Sequence, residues 1–318
     1  MEIKTVAVLG AGAVGSYIIQ GLSAKPGIAL GVIATGERAQ RLQQGCKINN
    51  AVYHPEIWSP QEAKGVDLLV VALKYGALAG AIEDIKAAVG ENTTVMSLMN
   101  GVDSEEIIGA AIGREKLVYS LIKIASCKKD DAYVFDTDST IGIIAGETSA
   151  PFDSERIKAL AELFADTSIR CRMTEHIEAE IWSKFRLNVC NNLPQAILGA
   201  GVGCYRDSQH MKFISRALGS ELMAIAHAKG IDISLAEKSA VKGCAVPAAA
   251  RYSTLQDLDA GRHTEIDMFS GALIKMGQEL GIPTPFNEYT YHMIKALEEK
   301  NDGLFDYAAK DSEKTCAK

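Results

Sequence analysis

Gly10, Gly12 and Gly15 form a GxGxxG, Gly10-Ala11-Gly12-Ala13-Val14-Gly15, close to the start of the chain. This spacing suits a pyrophosphate. Gly10 allows a tight turn, Gly12 offers no side chain to an approaching phosphate, and Gly15 lets a helix lie close on the preceding strand. The amides and positive end of that helix then face the anion. Alone, the same glycines also fit a plain turn. A second group lies in the run Ile181 to Pro194. On a helix, Lys184, Asn188 and Asn192 fall at i, i+4 and i+8 and line one face. An ammonium and two amides on one stripe can contact a polar ligand, or can be an ordinary solvated face. Glu265 and Asp267, in GRHTEID from Gly261, open a long helical pattern, where carboxylates can simply complement the helix dipole. Asn100, in Met99-Asn100-Gly101-Val102, follows an expected strand at the edge where open α/β sheets hold ligands. Asn-Gly is equally a common turn.

These groups need elements to position them. Ile3 to Gly10 is a short, apolar, β-branched run that reads as a buried parallel strand. Helical spacing follows over Ala13 to Ala24, then a strand over Ile28 to Ala34 and a helix over Glu37 to Gln44. The alternation continues with a strand at Asp67 to Leu73, a helix at Ala77 to Val89 and a strand at Thr93 to Leu98. Val118 to Ala125 and Tyr133 to Ala145 read as further strands, the latter open to antiparallel pairing. From about Phe152 helical patterns dominate: Ser154 to Ala165, Glu175 to Ala196, Ser208 to Lys229, Ser234 to Val246, Thr264 to Leu280 and Pro285 to Glu299. The expected fold is α/β, an N-terminal Rossmann-type doubly wound parallel sheet followed by an all-helical C-terminal domain. The boundaries are placed at residues 1–170 and 171–309, with a polar tail at 310–318 expected to be disordered. A small-molecule site is expected in a cleft between the domains. In this strand–turn–helix context the glycine loop indicates a dinucleotide.

Sites that prefer NAD usually carry an acid at the end of the second strand. Here Ala34-Thr35-Gly36-Glu37-Arg38 stands there, with Glu37 a little beyond that place. Arg38 can pair with a 2′-phosphate or lie solvated on the surface. His263 precedes Glu265 by two positions and faces elsewhere on a helix, so a surface or packing role is expected. No HExxH or similar ligand pattern occurs, and no metal is expected. A net charge of −7 with both signs interspersed leaves no basic face for nucleic acid or anionic lipid. The seven cysteines contain no CxxC pair and read as reduced thiols. No apolar run approaches the ~20 residues needed to span a bilayer. No leader pattern follows Met1, so a cytoplasmic location is expected.

With these residues placed, the chain resembles the ketopantoate reductase (2-dehydropantoate 2-reductase) family nearly end to end. The likeness is carried by GAGAVGS at Gly10 to Ser16, Leu73-Lys74, Asn100-Gly101-Val102, and W-x-K-F-x-x-N-x-x-x-N from Trp182 to Asn192. Ser253-Thr254-Leu255-Gln256-Asp257, leading into GRHTEID, completes it. The resemblance implies NADP-dependent reduction of 2-dehydropantoate to pantoate, in pantothenate and coenzyme A biosynthesis; the long helical domain is compatible with a homodimer. It implies that Lys184 protonates the carbonyl oxygen and that Glu265 positions the substrate and supports that transfer. Asn188 and Asn192 match positions that hydrogen-bond the substrate, and Ser253 matches one near its carboxylate. Asn100 matches a residue at the cofactor–substrate junction, and Lys74 one on the adenosine side of NADP. The chain departs from the family at Thr35, where an arginine usually grips the 2′-phosphate. Arg38 is the substitute within reach, and NAD stays open as cofactor. Ser120 to Cys127 is less glycine-rich than the family pattern, and Pro194 is shifted by one. A related dehydrogenase for a different 2-keto acid, or a non-catalytic dinucleotide sensor, therefore remain alternatives. Retention of Lys184 and Glu265 speaks against the sensor.

Overall fold

Short runs of alternating large and β-branched apolar residues build the central sheet. In the computed structural model, which describes residues 1–149, 151–236 and 246–305, β1 (Thr5–Leu9) leads through α1 (Ala13–Leu22) to β2 (Ala29–Ile33) and α2 (Gly36–Gln43). Three short strands follow, β3 (Cys46–Ile48), β4 (Ala51–Tyr53) and β5 (Glu56–Trp58). Then come β6 (Leu68–Val71), α3 (Leu78–Ala88), β7 (Thr94–Ser97), α4 (Ser104–Ile112) and β8 (Leu117–Lys123). β9 (Ala125–Lys129), β10 (Ala132–Asp136), β11 (Gly142–Gly146), α5 (Glu155–Phe164) and β12 (Cys171–Met173) complete this part.

The main sheet runs β12-β11-β8-β7-β6-β1-β2-β5. From β5 to β8 every pairing is parallel, with Val6 opposite Leu68 and Leu9 opposite Val71. β1 sits between β2 and β6, so the order reverses there, which is where doubly wound sheets bind ligands. Alternate residues feed the two faces. Val6, Val8, Val32 and Val70 pack with Ile18 and Ile19 of α1, while Ala7, Leu9, Ile33 and Val71 pack with Leu78 and Ile85 of α3. Each such Val, Leu or Ile side chain, fully buried, contributes roughly 1.5–3 kcal/mol.

The stretch Tyr133 to Ala145, expected as one strand, is two. The Asp136 carboxylate accepts the amides of Asp138 and Ser139, turning the chain between β10 and β11. β11 pairs antiparallel with β8, whereas β10 joins a separate small sheet ordered β4-β3-β10-β9. That sheet packs on α1, with Tyr17 and Phe135 edge to face at 5.6 Å.

Met1–Ser183 with residues 233–236 form one compact unit, and Lys184–Asp232 with residues 246–305 form another. The first therefore extends beyond the expected limit at residue 170. β12 pairs with β11 in the sheet, and the first turns of α6 (Ile177–Leu187) lay Ile177 and Ile181 on Leu121 and Ile144. The second unit is helical, as expected. It holds α7 (Leu193–Leu198), α8 (Cys204–Asp207), α9 (Gln209–Ala228), α10 (Ser253–Asp259), α11 (Ala272–Leu280) and α12 (Pro285–Asn301). Its centre is α9, whose buried Glu221 accepts the amides of Phe286 and Asn287 and so caps α12. The helix expected over Ser234–Val246 falls largely outside the described residues, as does the tail at 310–318; Ile233–Leu235 form a single 3₁₀ turn. Among the described residues no helix is long and apolar enough to cross a membrane.

Candidate functional site

The glycines of the loop after β1 have separable duties. Gly10 has φ +107°, and a Cβ there would meet the Ala72 carbonyl oxygen at 2.6 Å. A Cβ on Gly15 would run into the Gly10 carbonyl oxygen, so α1 can pack on β1 only with glycine there. Gly12 differs. Its φ of −78° suits any residue, and a Cβ would meet nothing within 4 Å. Neither turn nor packing requires glycine at that position, and the open space is what the close approach of a pyrophosphate needs. Gly12 caps α1 without a side-chain bond, and no acid stands in the first turn. Ala11, Ala13 and Val14 are partly exposed beside it. The residues present thus fit a dinucleotide phosphate group.

Around this loop lie the ends of the neighbouring strands. Thr35 is the exposed N-cap of α2 just beyond β2, and Arg38, also exposed, makes no ion pair among the described residues. Lys74 is exposed just beyond β6, and Tyr75 beside it donates to Asp103 Oδ2 at 2.7 Å. Asn100 is partly buried in the loop between β7 and α4. The base of that loop is stapled by Ser97 Oγ and Ser104 Oγ, 2.8 Å apart. Ser104 Oγ in turn donates to Glu105 Oε2 at 2.7 Å. Glu105 is 4% exposed. Burial pushes its carboxyl up to about 7, against the pull of the Ser104 hydroxyl, with Asp103 adding to the rise.

Lys184 lies on α6 one turn after Glu180, which is wholly buried. Arg172 of β12 holds Glu180 Oε1 at 2.6 Å, and Lys123 of β8 stands 4.0 Å from Oε2, so this helix is clamped to the sheet. Beyond Leu187 the helix widens into a π-helical segment, Asn188–Asn192, before α7 resumes with Pro194 in its first turn. Such segments recur at functional sites. Asn188 and Asn192 are 8% and 5% exposed, and Asn192 Nδ2 donates to Asn188 Oδ1 at 3.2 Å. These amides are therefore not a solvated face. Asn192 Oδ1 is buried with no hydrogen-bond partner.

Gln195 of α7, fully buried, donates to the Ala250 carbonyl and accepts from the Tyr252 amide, both at 2.9 Å. That tether sets the start of α10, where Ser253 is exposed and Thr254 is buried with its hydroxyl unpartnered. Glu265, partly buried, lies two residues before a second π-helical segment, Asp267–Gly271. The two π segments touch, and Phe185 and Phe269 pack with ring centroids 6.3 Å apart. The helix expected from Thr264 to Leu280 is thus interrupted at its start. Asp267 turns away to accept from Tyr291 and Lys295, and His263 is exposed and paired with Asp302 at 2.9 Å.

Glu180, Arg172, Lys123 and Glu105 were not singled out from sequence. A signal existed for two of them: Glu180 lies four residues before Lys184 on the same helical stripe, and Lys123 interrupts an apolar strand run.

Comparison with known proteins places the chain by family and by fold. The family described as Ketopantoate reductase PanE/ApbA matches residues 6–146, and its C-terminal counterpart matches residues 176–298. The 2-dehydropantoate 2-reductase of Archaeoglobus fulgidus (strain ATCC 49558 / DSM 4304 / JCM 9628 / NBRC 100126 / VC-16) is 26% identical over 302 residues, covering 94% of this chain and 99% of its own. The crystal structure of a PanE/ApbA family ketopantoate reductase from Ralstonia eutropha JMP134 has the same fold, with TM-score 0.79, 23% identity and coverage of 94% and 99%. So does D-mandelate dehydrogenase in its ternary structure with NADH and anilino(oxo)acetate, with TM-score 0.78, 19% identity and coverage of 94% and 99%.

Proposed function

The chain belongs to the ketopantoate reductase family of oxidoreductases, and from that premise we propose that it reduces 2-dehydropantoate to pantoate with NADPH, a step of pantothenate and coenzyme A biosynthesis. Bound nicotinamide supplies the hydride. Gly10 to Gly15 and the N-terminus of α1 hold the pyrophosphate, Lys74 and Arg38 the phosphate on the adenosine side, with Thr35 beside them, and Asn100 the junction with substrate. Hydride addition builds alkoxide charge on the carbonyl oxygen. The Lys184 ammonium stabilises that charge and neutralises it by passing a proton from Nζ. Glu265 positions the substrate and supports that proton transfer. Asn188 and Asn192 take the substrate hydroxyl, and Ser253 lies by its carboxylate.

The observation that carries this reading is the unpartnered, buried Oδ1 of Asn192. A buried amide oxygen without a partner calls for a donor, and the hydroxyl proposed for this position is one. 2-Dehydropantoate brings such a hydroxyl, and a plain 2-keto acid does not. The test is NADPH oxidation with 2-dehydropantoate beside 3,3-dimethyl-2-oxobutanoate, its analogue without the hydroxymethyl oxygen. We expect kcat/KM at least about 100-fold higher for the hydroxylated acid. Equal or better turnover of the hydroxyl-free acid assigns a related 2-keto acid dehydrogenase instead. Tight NADPH binding without turnover of any keto acid assigns a sensor. Preference for NADPH rests on exposed Arg38 and Lys74 and on the lack of an acid in Ile33-Ala34-Thr35. Arg38→Ala should raise Kd for NADPH about tenfold or more and leave NADH unchanged; equal effects return Arg38 to the surface. A homodimer belongs to the same proposal, supported by the exposed edge-to-face pair Phe213 and Phe286 on the helical unit, and sedimentation velocity reads it.

A further inference from the structure

The proposed chemistry needs the Glu265 carboxylate at one place, yet Glu265 lies in an irregular stretch just ahead of a π-helical segment. Such a stretch aims a side chain well only where something outside it fixes the backbone. α12 supplies that group. Glu298 of α12 is 3% exposed, and its Oε1 accepts both the amide and the hydroxyl of Thr264, each at 2.6 Å. The Thr264 hydroxyl, while donating to Glu298, accepts from the Ile266 amide at 3.2 Å. Both neighbours of Glu265 are thus held by one buried carboxylate from 34 residues beyond Thr264. The Glu265 carbonyl in turn accepts from the amides of Met268 and Phe269, at 3.1 and 3.2 Å.

Charge supports the same clamp. Oε2 of Glu298 faces Lys295 Nζ at 3.5 Å and His263 Nδ1 at 3.7 Å, and Lys295 also holds Asp267 at 2.7 Å. His263, Thr264 and Asp267 therefore all turn to α12 or its cap Asp302, and Ile266 is wholly buried. Hydrogen bonds to a carboxylate are shorter and stronger than neutral ones, so the anchor is stiff. Every one of these contacts lies within the helical unit. We propose that Glu298 is a positioning residue, which through Thr264 fixes the backbone from which the Glu265 carboxylate reaches the substrate. The proposal rests on the reading of Glu265 as the group that positions the substrate and supports proton transfer, and adds what holds that group in place.

The test is a mutant cycle on the full-length chain, read by steady-state kinetics with NADPH and 2-dehydropantoate. Thr264→Val keeps the branched shape and removes the hydroxyl, whereas Glu298→Leu removes the acceptor. Each should lower kcat/KM about 10- to 100-fold, as a misplaced catalytic group does, and leave the Kd for NADPH unchanged. Thr264→Ser and Glu298→Gln keep the hydroxyl and the acceptor oxygen, and should restore most of the loss. Combined with Glu265→Gln, either lesion should cost no more than Glu265→Gln alone, because the group it positions is already gone. Losses that multiply in the double variant overturn the proposal. So does a lowered melting temperature with kcat/KM as in wild type, which is the mark of a structural role. If Glu298→Leu folds poorly, Thr264→Val carries the test. An impaired Glu265→Gln beside fully active Thr264→Val and Glu298→Leu leaves the reading of Glu265 standing and removes the positioning. Glu265→Gln as active as wild type removes that reading, and the role of Glu298 with it, as does a wild type that reduces no 2-dehydropantoate.

Discussion

Asn188 and Asn192 share a hydrogen bond while nearly closed off from solvent, so truncating either one strips a buried partner from the other. Asn192→Ala should cost about 1–3 kcal/mol of stability in urea unfolding and raise KM for 2-dehydropantoate about tenfold. Unchanged KM would remove Asn192 from the substrate. Lys184 belongs to a different class, because its proposed interaction grows only as the alkoxide forms. Lys184→Ala should lower kcat about 10²- to 10⁴-fold while the Kd for NADPH, read by its fluorescence, stays put. Weak NADPH binding with normal kcat would sink the assignment. The residue types and their spacing were readable from the chain, since 184, 188 and 192 follow a local period. Their burial was not. It depends on what packs over them, including Phe185 against Phe269 from a segment far along the chain.

At the scale of elements, the phosphate loop offers a paired comparison between neighbours in one motif. Gly12→Ala puts a methyl group into open space, so stability should stay within about 0.5 kcal/mol while NADPH affinity falls tenfold or more. Gly15→Ala drives a methyl into the Gly10 carbonyl, so it should lose about 1–3 kcal/mol or more of stability before any ligand is added. Melting temperature and NADPH titration on both variants read the difference. A Gly12→Ala protein that unfolds early would show that packing demands this glycine. The attachment of α6 is a second case. Glu180 is fully buried against a partly exposed arginine, so Glu180→Gln should cost roughly 2–4 kcal/mol, less than a wholly buried pair. Stability equal to wild type in urea would mean that apolar contacts of Ile177 and Ile181 alone hold the helix.

For the molecule as a whole, Glu105 ties stability to pH. Its folded pKa of about 7 exceeds the ordinary 4.5, because burial disfavours the charged form. The native state therefore holds this proton more tightly than the unfolded chain. The contribution is fully present below 4.5 and is lost as pH rises through about 7. Wild type should lose stability relative to Glu105→Gln between about pH 4.5 and 7, the window set by these two values. Urea unfolding of both proteins across that range measures it, and parallel curves would exclude Glu105 as the cause.

What the sequence by itself determined is what local geometry can carry. Gly10 to Gly15 between a β-branched run and a helical period specified strand, turn and helix, and the βαβ alternation specified a parallel sheet that the structure shows. The switch to helical periods after about Phe152 announced a helical second part, but the boundary at Lys184 was set by β12 and α6 packing on the sheet. The roles drawn for Lys184 and Glu265 came from motif resemblance in the same local windows. Only the tertiary structure decided the rest. The split of Tyr133 to Ala145 between two sheets depends on partners, Lys123 to Tyr119 for one strand and Lys129 to Ala125 for the other, that compete for the same apolar pattern. The π segments arise where packing between distant stretches overrides the α-helical period that each would keep alone. Lys123, Arg172 and Glu180 converge from two strands and a helix, and burial of a charge is settled by such convergence, not by the neighbours in sequence.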